Sequence, residues 1–156
     1  MKIGGFLPNT SSNGIGTRFA IFLTGCPHKC DGCYNEHLWD IDSGVTFTLF
    51  EIFEKIKKNI DIINGITLTG GEPFEQAEDA SIIAQMAKEE GLDVWTYTGY
   101  TLNQLEFSED HYVKRLLKYT DILVDGKFEK DKVIEGEYKG SSNQRIINMK
   151  EEVKYV

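Results

Sequence analysis

Cysteine is scarce in this chain and confined to one place. The 156 residues include three, all within Cys26-Pro27-His28-Lys29-Cys30-Asp31-Gly32-Cys33. An odd number with no second group elsewhere excludes a disulfide framework. Proline is equally rare at three residues, and no Pro/Gly/Ser-rich stretch marks a boundary, so residues 1–156 read as a single domain. Long apolar runs are missing too: nowhere do about 18 apolar residues stand together, and Met1 to Pro8 has no apolar stretch of signal length. A soluble protein of a reducing, cytoplasmic compartment is therefore expected, where free thiols persist. Basic residues are in deficit, 17 Lys and Arg against 25 Asp and Glu for a net charge of -8. Neither nucleic acid nor a membrane is expected as a partner, since both need a basic surface. There is no internal repeat and no low-complexity segment.

What is present alternates between two periods. Arg18-Phe19-Ala20-Ile21-Phe22-Leu23-Thr24 reads as a buried strand that runs into the cysteines. Thr48-Leu49-Phe50-Glu51 has the form of a capping box, and Leu49, Ile52, Phe53, Ile56 and Ile60 continue at helical spacing to about residue 60. Gly65 to Thr69 is a short strand stopped by Gly70-Gly71. A helix with the stripe Ala80, Ile83, Ala84 and Ala87, widened by Ile82 and Met86, ends at Gly91, a residue suited to a left-handed cap. Leu92 to Thr98 is a strand. Glu109 to Tyr119 is a helix, with a further helical turn at Thr101 to Leu105. Asp121 to Gly126 is a strand, Lys127 to Asn143 a polar loop, and Gln144 to Met149 a last strand. Strands separated by helices imply βαβ units and a mostly parallel α/β sheet of about five to six strands. A closed eight-stranded barrel takes roughly 250 residues, so a barrel-like sheet of this length must be partial and open. Ligands gather at the C-terminal ends of such strands. The cysteine loop, Gly70-Gly71-Glu72, Thr96 to Gly99 and Asp125-Gly126 all fall there.

Three thiolates on a Cys-x3-Cys-x2-Cys loop suit a cubic iron–sulfur cluster with one iron left open. Two other readings stand beside it. His28 or His37 could complete a four-ligand zinc site, or the thiols could be redox-active or inert. Zinc knuckles usually draw a second cysteine pair from another turn, and none exists here.

The spacing resembles the radical S-adenosylmethionine (SAM) enzymes, in which such a loop follows the first barrel strand and SAM occupies the open iron. Thr69-Gly70-Gly71-Glu72-Pro73 resembles their Gly-Gly-Glu-Pro motif. More narrowly, Gly25 to Asn35 looks like the cluster loop of the activating components of anaerobic ribonucleotide reductases, with Gly32 where many relatives place an aromatic residue. Asn13-Gly14-Ile15-Gly16-Thr17-Arg18 resembles the Asp-Gly-x-Gly-x-Arg element of glycyl-radical-enzyme activators, with Asn for Asp. Val94 to Tyr100, Asp125 to Phe128 and Ser141 to Arg145 look like further activator segments.

The resemblance implies a partial, open parallel barrel in which Cys26, Cys30 and Cys33 hold a [4Fe-4S] cluster. It further implies that Gly70, Gly71, Glu72, Thr96, Tyr97, Asp125 and Arg145 contact SAM. Within that set alternatives stay open: Glu72 receives the amino group of SAM or orients the loop through backbone N–H groups. Tyr97 touches ligand by its ring or by its backbone alone. Arg145 pairs with the SAM carboxylate, with an acidic neighbour, or with solvent. Lys127 to Lys139 is a solvated surface or a flap. The implied activity is reductive SAM cleavage and generation of a glycyl radical on the large subunit of an anaerobic ribonucleotide reductase, fed by a low-potential donor such as a flavodoxin. The rivals are a small radical SAM enzyme of the deazapurine synthase type and a zinc-stabilised binding module.

Overall fold

In chain order, the computed structural model, which describes residues 1–154, contains β1 (Lys2–Thr10), β2 (Arg18–Leu23), β3 (Val45–Thr46), α1 (Leu49–Lys57), β4 (Gly65–Gly70) and α2 (Ala77–Glu89). There follow β5 (Asp93–Tyr97), α3 (Leu102–Glu106), α4 (His111–Tyr119), β6 (Ile122–Asp125), β7 (Arg145–Asn148) and α5 (Met149–Lys154). All seven strands form one open sheet in the order β3-β1-β2-β4-β5-β6-β7. Only the central four, β2, β4, β5 and β6, are parallel. β1 and β3 extend one edge antiparallel, and β7 returns antiparallel to β6 at the other.

The expected sheet of five to six mostly parallel strands is thus corrected to seven strands of mixed direction. β1 escapes a pattern reading because Gly4, Gly5 and Pro8 interrupt its alternation. Its pairing with β2 shifts register between Ile3 and Gly5 and again between Leu7 and Thr10, so Pro8 falls in an irregularity where no ladder donor is needed.

The local signals explain the helices. Thr48 and Glu51 form the reciprocal capping box at α1, Thr101 and Gln104 form another at α3, and Asp110 caps α4. Gly91 closes α2 at φ +81°. Ile52 and Ile56 of α1, Ile83 and Ala84 of α2, and Leu116 of α4 pack against Ile21, Ile66, Leu68, Val94 and Leu123 of the strands. Each large aliphatic side chain buried there stabilises the fold by roughly 2 kcal/mol.

The opposite face is polar and aromatic. Arg18 is fully buried on it and donates to Thr67 Oγ1 (2.8 Å), the Ile15 carbonyl (2.9 Å) and the Ile66 carbonyl (2.6 Å), and pairs with Asp93. Its guanidinium lies 5.6 Å from the Trp95 ring centroid. Thr67 Oγ1 in turn donates to the Asn13 carbonyl (2.6 Å). The Asn13–Arg18 element therefore closes the N-terminal end of the sheet, away from the cysteines. Lys127 to Asn143, read from sequence as loop, folds back over this face. Tyr97 Oη donates to the Tyr138 carbonyl at 2.6 Å, and the Tyr138 ring stands edge-on to Trp95. Gln144 fixes the return: its Oε1 accepts from the Gly140 and Ser141 N–H groups, and its Nε2 donates to the Gly126 carbonyl. No helix among the described residues is long and apolar enough to cross a membrane.

Candidate cofactor cleft at the C-terminal strand ends

The cysteine loop leaves β2 between two clamps. On one side Gly71 N donates to the Leu23 carbonyl and Glu72 N to the Gly25 carbonyl, both at 2.8 Å. On the other, Gly25 N donates to the Leu38 carbonyl (2.9 Å) and Cys26 N to the Trp39 carbonyl (3.0 Å). A Cβ on Gly71 would lie 2.5 Å from the Gly25 carbonyl oxygen, so this glycine is required by the approach of two loops. Asn35 adds a cross-link from Nδ2 to the Gly70 carbonyl (3.3 Å), while its N–H donates to Cys33 Sγ (3.4 Å). Gly32 adopts φ +78°, and a side chain there would press on Lys130 and Phe128, which accounts for the missing aromatic residue before Cys33.

All three thiols line one cleft of about 230 Å³, together with Trp39, Gly70, Gly71, Tyr97, Thr98 and Phe128. Burial pushes the Cys26 and Cys30 thiols up from the ordinary cysteine range, so a metal centre bound there must displace protons. A second cleft, of about 690 Å³, adjoins it and shares His28, Cys30, Gly126 and Phe128.

The residues expected to contact SAM separate by position. Gly70, Gly71 and Tyr97 line the cysteine cleft, although the Tyr97 hydroxyl is committed to Tyr138, and burial pushes its phenol up and keeps it a donor. Asp125 and Arg145 line the adjoining cleft and hold each other, with Arg145 Nε 3.0 Å from Asp125 Oδ1 and Nη2 2.6 Å from Oδ2. Asp125 Oδ2 also accepts from Leu102 N at 2.8 Å. Thr96 does not reach either cleft. Its hydroxyl faces the helices and bonds Thr120 Oγ1 at 2.9 Å, because alternate residues of a strand point to opposite faces and Trp95 and Tyr97 occupy the other one.

Glu72 is fully buried and lines neither cleft. Its Oε1 accepts from Gly99 N (2.8 Å) and Thr98 Oγ1 (2.9 Å) and meets His28 Nε2 at 2.6 Å, while Oε2 accepts from Phe74 N (3.1 Å). Of the two roles open for this carboxylate, orientation of the loop is the one its bonds perform. Neither histidine is placed as a fourth metal ligand: Nε2 of His28 is engaged by Glu72, and His37 is exposed outside the cleft. Sequence reasoning left Thr98, Trp39 and Phe128 unassigned. Thr98 shares the parity of Thr96, so alternation along β5 does not single it out; it lies past the strand's end at Tyr97, where the alternation no longer governs.

The donor set fits an iron–sulfur cluster better than a lone ion. Tetrahedral zinc at about 2.3 Å from each sulfur draws its ligands close together, whereas a cubic cluster spreads three thiolates over three irons. Among the described residues, no three His, Cys, Asp or Glu side chains converge to hold a single metal ion. The polar atoms around the cleft agree with a guest, since the buried Trp39 Nε1 has no partner among the described residues.

Comparison with known proteins defines the class first. A family model described as a 4Fe-4S single cluster domain matches residues 12–147. The chain is 38% identical over 150 residues to the anaerobic ribonucleoside-triphosphate reductase-activating protein of Vibrio cholerae, covering 90% of this chain and 94% of the relative. It is 37% identical over 139 residues to the protein of that name from Enterobacteria phage T4 (86% and 85%), and 34% identical over 153 residues to that of Escherichia coli K12 (93% and 97%). The chain belongs to the family of anaerobic ribonucleoside-triphosphate reductase-activating proteins.

Proposed function

We propose that the protein is a radical SAM activase that generates a glycyl radical on the large subunit of an anaerobic ribonucleoside-triphosphate reductase. The observation that carries this reading is the convergence of the chain's three cysteines with Gly70 and Gly71 on one cleft at the C-terminal ends of parallel strands. With three thiolates for four irons, one coordination position stays free for SAM. When bound and reduced, a [4Fe-4S] cluster supplies the one electron that splits the S–C5′ bond of SAM, after which a hydrogen atom is taken from a glycine of the reductase.

The chain's own residues bind, orient and exclude. Cys26, Cys30 and Cys33 hold the cluster. Gly70 and Gly71 form a wall without side chains against which the methionine end of SAM lies, and the adjoining cleft beside Asp125 and Arg145 receives its adenosine end. Glu72 acts by positioning, through His28, the Thr98 hydroxyl and the Gly99 N–H, and Thr96 plays no part in binding. Tyr97 and Tyr138 seal the floor of the cleft against water. The open edge of the sheet admits a loop of another protein, and a low-potential donor such as a flavodoxin reduces the cluster from outside.

The test is anaerobic incubation of the reconstituted protein with SAM, a strong reductant and the reductase subunit. A doublet in electron paramagnetic resonance that collapses on deuteration of the glycine α-carbon is expected on the subunit. SAM cleavage coupled instead to a purine-like metabolite, with the subunit free of radical, contradicts the activase reading.

A further inference from the structure

Trp39 lines the cysteine cleft and also an outer pocket that it shares with Gly25, Cys26, Pro27, Lys29 and Ile41, so the residue accompanies Cys26 at both surfaces. Its Nε1 is shielded from solvent and has no hydrogen-bond partner among the described residues. An indole N–H can only donate. Burying such a donor with nothing to accept its proton is unfavourable, a penalty that a ligand filling the cleft would remove.

We infer that the Trp39 indole donates its N–H to a sulfur of the cluster unit, either the Cys26 thiolate or an adjoining sulfide. The inference rests on the reading that this cleft holds a [4Fe-4S] cluster. Sulfur is favoured over SAM as the acceptor by position. The Trp39 carbonyl accepts from Cys26 N at 3.0 Å, so the residue is tied to the ligand loop itself. It is absent from the adjoining cleft that lies beside Asp125 and Arg145. A hydrogen bond to cluster sulfur stabilises the more negatively charged, reduced state and raises the reduction potential.

The experiment compares native protein with Trp39→Phe, both cluster-loaded and free of SAM. Electron–nuclear double resonance of the reduced cluster should show a strongly coupled proton that exchanges in D2O in the native protein and is lost in the variant. In a redox titration the variant's midpoint should move to more negative potential, with the reduced-to-oxidised ratio at the native midpoint falling several-fold. Should Trp39→Phe fail to take up iron, β-(3-benzothienyl)alanine at position 39 keeps the ring shape, removes the N–H and gives the same comparison. An unchanged proton coupling and midpoint in a loaded variant overturn the assignment. So does a native coupling that arises only after SAM is added, because the acceptor is then SAM. A native chain that assembles no four-iron cluster sinks the reading of the cleft itself, an outcome separate from either of these.

Discussion

His28 Nε2 lies 2.6 Å from Glu72 Oε1, and this pair ties the middle of the cysteine loop to the ends of β4 and β5. Glu72 is the hub: besides His28 it holds Thr98, the Gly99 N–H and the Phe74 N–H. His28 packs so closely over Gly99 that a Cβ there would lie 2.4 Å from its ring. The loop that carries the thiols is thus held from its root at Gly25 and from its centre at His28.

Glu72→Ala should leave four buried groups without their acceptor and lower stability by about 3–5 kcal/mol, the range for breaking a buried charged network. Glu72→Gln keeps the shape and one acceptor oxygen and should lose about 1–2 kcal/mol. Denaturant unfolding of the cluster-free proteins measures both, and equal stability of Glu72→Ala and native protein would contradict the hub.

Replacing any one of Cys26, Cys30 and Cys33 by Ala should abolish the brown visible absorption and SAM cleavage together, because the sequence holds no fourth cysteine to substitute. Iron and sulfide analysis of reconstituted Cys30→Ala is the check, and full cleavage by a variant with an intact cluster would refute the ligand set.

Gly71→Val should damage cluster assembly as well as SAM binding. The added Cβ meets the Gly25 carbonyl 2.5 Å away, one residue before Cys26. The contrast is Gly91→Ala, where φ is +81° and space is open. That change should cost about 1–2 kcal/mol of stability through the left-handed backbone and leave cluster content unchanged. Iron content and calorimetric SAM affinity, measured on both variants, separate the two effects.

Arg18→Met should lower stability by about 3 kcal/mol, since Thr67, Ile15 and Ile66 lose a buried donor. Reconstituted cluster should retain its native visible spectrum, because Arg18 sits at the N-terminal end of the strands. A bleached or shifted spectrum with native stability would place Arg18 at the cluster instead.

The parts of this molecule legible in its sequence are those whose physics is local. The capping box at Thr48 and Glu51, the cap at Gly91, and the thiol spacing from Cys26 to Cys33 are each written within a few residues; the structure carries both caps as expected and brings the three thiols to one cleft. Parity along β5 was equally local, yet it went unused when Thr96 was placed in the site beside Tyr97, its neighbour of opposite parity. What stayed hidden depends on distance. Glu72 looks like a ligand-facing acid until its partners arrive from 44 residues earlier and 26 residues later. For Arg145 an acidic neighbour is one of three open partners until β6 and β7 pair and set it opposite Asp125. β1 was lost because glycine and proline mask a strand that only its neighbour β2 makes regular.

The clamps on the cysteine loop also set an order of events during synthesis. All three thiols have been made by residue 33, but the groups that shape their cleft come much later: Gly71 and Glu72 close on Gly25, Gly99 receives His28, and Phe128 and Gln144 complete the wall. An emerging chain therefore displays its cysteines on an unshaped segment for most of translation. Iron–sulfur delivery to the shaped cleft is therefore expected only on a nearly finished chain.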